Sequence, residues 1–190
     1  MNTKRENILI ECLDWLRLLL ISLLIAYLIP IFLLRPLQVD GSSMYPTLED
    51  KELVLSNIFS NLTSPIERFD VVVVKEPKSG DLWVKRVIAL PGEKVEVKQE
   101  KLYINGQYVE EPFLNQEYVK SQIQKEGFFS KDVKAVTLKE NEYFLMGDNR
   151  SNSLDSRTRG PFKREEIIGK HIYVLYPFSK IRMVLNGNER

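Results

Sequence analysis

Three short segments carry residue types that could do chemistry. Asp40 to Leu48 reads DGSSMYPTL. A serine pair after glycine, with a proline close behind, makes either an ordinary turn or a constrained serine nucleophile beside backbone N–H groups. Val84-Lys85-Arg86-Val87 puts two charges inside an apolar run. Lys85 belongs either on the wet face of a half-buried strand or in an apolar setting that makes it a base. At its free pKa of ~10.4 a lysine is neutral in only about one case in 10³ to 10⁴ at pH 7. Burial lowers that pKa by ~3 units or more, at ~1.4 kcal/mol per unit. Trp83, Val84, Val87 and Ile88 could supply the burial. Gly147 to Arg157 reads GDNRSNSLDSR, with seven of eleven positions Asp, Asn or Ser and both later arginines interleaved. It suits a solvated hairpin loop or a hydrogen-bonded network.

Other chemistries are short of residues. The single histidine, His171, rules out a two-histidine zinc helix and reads as an ordinary strand position. The single cysteine, Cys12, rules out an internal disulfide or a multi-cysteine zinc site. The chain has no G-x-S-x-G elbow, no S-x-x-K tetrad and no phosphate-binding loop. With 27 Lys and Arg against 26 Asp and Glu, it also lacks the basic surplus of a nucleic-acid binder. No nucleic acid, metal or cofactor is expected.

The elements that must position these residues are mostly strands. Phe69 to Lys75, FDVVVVK, reads as a buried strand. Leu82 to Leu90 is a second, ended by Pro91-Gly92. Lys94 to Val97 alternates as a half-buried strand should. Leu102-Tyr103-Ile104 and Tyr108-Val109 flank Asn105-Gly106, a hairpin signal, because both turn residues must tolerate positive φ. Glu142 to Met146 and His171 to Tyr176 are further strands, and Glu117 to Lys125 a short helix. Strands do not alternate with long helices, which disfavours a parallel α/β fold. The expected class is mainly β, with one antiparallel β-sheet domain over 36–190.

Ahead of it, Leu18 to Leu34 is seventeen residues without a charge. At ~1.5 Å per residue it spans roughly 25 Å, and Trp15 and Leu16 extend it if Arg17 snorkels. A buried core helix would need a polar face, and a cleaved leader would end in a small-x-small site; neither is present. The reading is a single transmembrane anchor over 16–35 behind a short tail, 1–15. Lys4, Arg5 and Arg17 before it favour a cytoplasmic N-terminus, with the domain on the exported side of the cell membrane. Residues 1–35 hold four basic and three acidic side chains, so the remainder is neutral at 23 to 23.

Taken in order, these features resemble type I signal peptidases, the membrane-anchored Ser-Lys endopeptidases that remove signal peptides. The resemblance rests on the anchor and then Ser43-Met44-Tyr45-Pro46-Thr47-Leu48. It continues through Arg68-Phe69-Asp70-Val71-Val72-Val73, Lys85-Arg86 with Leu90-Pro91-Gly92, and GDNRSNSLDSR. It implies Ser43 as nucleophile and Lys85 as general base, with Ser153 orienting the lysine. Arg86, Asp148, Asp155 and Arg157 would form the ionic scaffold beneath. Some family members have a serine two residues before the nucleophile; here that position is Gly41, so backbone N–H groups would hold the oxyanion. Ser42 is the rival nucleophile, and the spacing to Met44 and Pro46 favours Ser43. By the same resemblance Val39, Met44, Leu48 and Val84 would line pockets for small side chains. The implied partners are preprotein signal peptides and the lipid bilayer.

Physical reasoning adds two expectations. Asp155 must pair with Arg157 or Arg86, because beside Lys85 it would raise the lysine pKa. Nine steps of chain from Leu34 put Ser43 within roughly 30 Å of the membrane exit. Two other functions fit parts of the sequence. A tethered β domain that only binds peptides gives no reason for a lysine beside Ser43. A soluble self-cleaving Ser-Lys regulator would not carry the anchor.

Overall fold

A computed structural model describes residues 2–77 and 79–187; of residues 2–9 and 28–33 it describes the helical backbone alone. Helix α1 (Asn2–Leu33) passes without an intervening residue into strand β1 (Leu34–Gln38). Strand β2 (Leu53–Asn57) and helix α2 (Ile58–Thr63) follow, then β3 (Val71–Lys75), β4 (Leu82–Ala89), β5 (Lys94–Lys98), β6 (Lys101–Ile104) and β7 (Gln107–Val109). Helix α3 (Gln116–Glu126), β8 (Val133–Thr137), β9 (Glu142–Met146), helix α4 (Ser156–Arg159), β10 (Phe162–Lys163), β11 (Ile167–Tyr176) and β12 (Arg182–Met183) complete the order.

The strands are antiparallel, as expected, and form two sheets. The larger runs β1-β2-β11-β3-β4-β9-β10, with β12 on β11; the smaller runs β7-β6-β5-β8. The split follows β4, where Leu90-Pro91-Gly92 turns the chain out of the large sheet and Gly92 takes φ +78. The Asn105-Gly106 hairpin forms as expected, with φ +52 and +79.

Strand β3 explains its four valines. Val71 and Val73 enter one apolar cluster, with Val39, Met44, Leu48 and Ile172. Val72 and Val74 enter another, with Val87, Leu145 and Phe162. Both faces of the strand are covered, so a continuous apolar run replaces alternation. Helix α3 is capped at both ends: Asn115 accepts from the Tyr118 N–H, and Gly127 closes it at φ +80.

The expected transmembrane helix over 16–35 is not found as such. Among the described residues no helix is long and apolar enough to cross a membrane. Glu11, Asp14 and Arg17 interrupt the described stretch, and the side chains of residues 28–33 lie outside the described residues.

Candidate active site

The serine segment is a compact loop between β1 and β2, pinned at both ends. Gly41 turns it at φ +91 and gives its N–H to Asp50 Oδ1 at 2.7 Å. The Tyr45 N–H returns to the Ser42 carbonyl and the Leu48 N–H to the Met44 carbonyl. Met44 and Leu48 are buried in the core and act as anchors. Ser43, directly before Met44, is left half-buried at the surface. Among the described residues its N–H has no acceptor, so it is available to an oxyanion.

Lys85 projects from β4, whose register pairs it with Val72 and the neighbouring Arg86 with Val71. It is 4% exposed, so the wet-face reading fails. Its Nζ donates to Ser43 Oγ at 2.7 Å and lies 5.8 Å from the Trp83 ring centroid. Burial pushes its pKa down to about 8; the Asp155 and Asp148 carboxylates pull it up, and the Arg157 guanidinium pushes it down again.

The polar box after β9 clasps both groups. The Asn149 N–H donates to the Ser43 carbonyl at 3.0 Å, and its side-chain amide donates to the Ser42 carbonyl at 3.0 Å. Asn152 Nδ2 donates to Ser42 Oγ at 3.0 Å, which occupies the rival serine. Arg86 grips Asp148 through two bonds of 2.9 and 2.7 Å, both side chains 1% exposed, and Thr47 Oγ1 donates to the same carboxylate at 2.5 Å. Arg157 grips Asp155 at 2.8 and 2.7 Å. Burial works against the Asp155 carboxylate, but Arg157, the Gly147 N–H and the Ser153 hydroxyl outweigh it and hold its pKa below the usual carboxylate range.

A cavity of about 220 Å³ opens beside the dyad. Leu37, Val39, Met44, Leu82, Trp83 and Val84 supply apolar wall, and Ser43 and Lys85 lie at its edge. Strand β9 pairs with β4 only from Arg86 onward, so Leu82 to Lys85 present an open strand edge there. Among the described residues no group of His, Cys, Asp or Glu could hold a metal ion.

The sequence matches the family described as signal peptidase, peptidase S26, over residues 12–176. Signal peptidase I S of Bacillus subtilis (strain 168) is 41% identical over 185 residues, covering 95% of each chain. Signal peptidase IB of Staphylococcus aureus (strain MRSA252) is 34% identical, covering 93% of this chain and 95% of its own. The chain belongs to the signal peptidase family. The crystal structure of a signal peptidase I from Enterococcus faecalis V583 superposes with a TM-score of 0.51 at 34% identity, over 56% of this chain and 97% of that one.

Set against this signal peptidase fold, the expected site residues divide. Ser43 and Lys85 meet, and Asp155 pairs with Arg157 while Arg86 pairs with Asp148. Val39, Met44 and Val84 line the cavity. Leu48 does not: it is fully buried in the core, where it anchors the serine loop rather than a substrate. Ser153 does not hydrogen-bond Lys85. Its Oγ is buried, with no partner of ordinary hydrogen-bond geometry among the described residues, yet it lies close enough to Asp155 to help lower that carboxylate's pKa. Nor is His171 an ordinary strand residue. It sits at a bulge of β11 with φ +53, and its Nδ1 lies 2.9 Å from Ser60 Oγ.

Two contributors were not singled out from the sequence. At Gly147 a Cβ would drive into the Ser43 carbonyl oxygen and Ser153 Oγ, so the residue lets the box approach the serine loop. Arg150, 3% exposed, donates to the Gly147 carbonyl and pairs with Glu111 from beyond β7. Gly147 opens a recognised box, so its position was visible though its reason was not; Glu111 has no local signal.

Proposed function

We infer that this chain is a serine endopeptidase that cleaves signal peptides from preproteins, with Ser43 as nucleophile and Lys85 as general base. The 2.7 Å contact between Lys85 Nζ and Ser43 Oγ carries the reading. With a pKa of about 8 the lysine is neutral in about one molecule in ten at pH 7, several hundred times the fraction of a free lysine. When Lys85 is neutral the contact reverses: the Ser43 hydroxyl donates, and Nζ takes the proton as Oγ attacks the scissile carbonyl. The Ser43 N–H faces the developing oxyanion. Lys85 then returns the proton to the leaving amine, and the same base activates the water that releases the acyl group.

The apolar cavity lined by Val39, Met44 and Val84 suits small side chains on the acyl side of the cut. An extended substrate can add as a strand beside Leu82 to Lys85. We further read α1 as a single-pass anchor of residues 16–35, the N-terminus cytoplasmic and the domain of residues 36–190 exported. Seven apolar side chains between Leu18 and Ile25 stand 49–59% exposed around the whole helix, a surface that only lipid or another chain would cover.

Incubation of the full chain in detergent with a preprotein whose junction is small-x-small, followed by mapping of the new N-terminus, tests the reading. One new N-terminus, directly after the second small residue, is expected. For the anchor, the full chain should stay with membranes in alkaline carbonate and leave only with detergent.

A further inference from the structure

A second cavity, about 420 Å³, opens on the Ser42 side of the serine loop. Its walls differ in kind from the first. Asn149 and Asn152 of the polar box form one side, and Tyr45, Tyr118, Gln122 and the ion-paired Lys125 and Glu126 the other. Most of this second wall is helix α3, which has no buried residue of its own. The helix is held by aromatic edges instead: Tyr118 meets Tyr45 of the serine loop at 5.0 Å and Phe129 at 6.3 Å, centroid to centroid. A helix that adds nothing to the core is docked against the serine loop and turns amide, ammonium and carboxylate groups towards the cavity.

Resting on the peptidase reading, we propose that this cavity binds the polypeptide just after the scissile bond, and that Gln122 and Lys125 contribute to its recognition there. An extended peptide whose carbonyl sits on Ser43 has its acyl side in the apolar cavity beside β4. Its other side must leave past Ser42, where this second cavity lies. Gln122, Asn149 and Asn152 supply donors and acceptors for an extended backbone, and Ser151 Oγ links the first two, 3.3 Å from Gln122 Oε1 and 3.2 Å from Asn149 Oδ1. Lys125, 3.1 Å from Glu126 Oε1, offsets that carboxylate, so the wall accepts acidic side chains as readily as basic ones a few residues past the cut.

Two peptide substrates with the same acyl side test this. One ends in an amide directly after the first residue beyond the cut; the other continues for about six residues, of polar sequence. For Gln122→Ala, the ratio of kcat/KM, long over short, should fall about 2- to 10-fold, the scale of one hydrogen bond. For Lys125→Glu, preference between long substrates with Asp and with Lys at the third to fifth positions should shift about 2- to 5-fold towards Lys. Ratios unmoved in both variants would overturn the cavity proposal while leaving the peptidase reading intact. Failure of the unaltered chain to cut either peptide would overturn both.

Discussion

The backbone carbonyl of Ser43 accepts the Asn149 N–H over 3.0 Å, so the loop holding the serine is docked on the box that also holds Asp148 and Asp155. Nothing larger than a hydrogen fits at Gly147, where the two segments touch. Gly147→Ala should therefore separate them, costing about 1–3 kcal/mol of stability. Its cleavage rate should fall more than its stability, because Ser43 moves relative to Lys85. Denaturant melts and preprotein cleavage measured side by side check this.

On the proposed roles, Ser43→Ala removes the attacking oxygen, and Lys85→Met removes the base while keeping an apolar stem. Each should lower kcat by at least about 10³-fold, with far-ultraviolet circular dichroism unchanged. Near-normal cleavage by either variant would end the dyad mechanism.

The pH profile follows from the same lysine. With Lys85 as the proposed base, kcat/KM should rise through an acid limb centred near pH 8 and lose about tenfold per pH unit well below it. A limb centred far below that, near ~6.5, would mean that Lys85 is not the base.

Lys85 also works against the fold. Its pKa is lowered from 10.5 to about 8, so between those values the unfolded chain binds more protons and stability rises with pH. Below pH 8 the full penalty stands, on the order of 3 kcal/mol. Lys85→Met should thus raise Tm at pH 7, with the gain vanishing as pH climbs past about 10.5. A Tm at pH 7 no higher than that of the unaltered chain would mean that the buried ammonium carries no such cost.

Each of the two buried ion pairs should fail when its arginine is removed. Arg157→Ala leaves the Asp155 carboxylate buried without its guanidinium, and Arg86→Ala does the same to Asp148. Each should cost about 3–5 kcal/mol. Asp155 contributes stability above its unfolded pKa that is lost as pH falls through its lowered folded value, so Arg157→Ala should shift acid unfolding to higher pH. Denaturation series at pH 4 and pH 7 measure both effects.

How much of this could be read in advance varies from residue to residue. Strands β3, β4 and β9 announced themselves because their apolar runs are local. Helix α3 did so through its polar periodicity within a residue at each end. Strands β1 and β8 did not: each has two residues half-buried and the rest exposed, so little hydrophobic pattern exists to find. The Ser43–Lys85 meeting was legible through the order of segments, since it depends on β4 reaching the loop after β1. Ser153 and Leu48 misled for one reason. Both lie within a motif, yet their directions are fixed by packing across the sheet: Leu48 into the core, and Ser153 against Gly147. Gly147 itself is required by atoms a hundred residues away, which no local pattern encodes.

Helix α1 ends at Leu33 and β1 starts at Leu34, and four residues later Gln38, Val39 and Asp40 form the wall of the apolar cavity. With no slack between them, the helix is a lever whose short arm is one side of the groove. Tilt or rotation of that helix is felt by the groove wall directly, so whatever orients the helix becomes a mechanical input to which peptides fit.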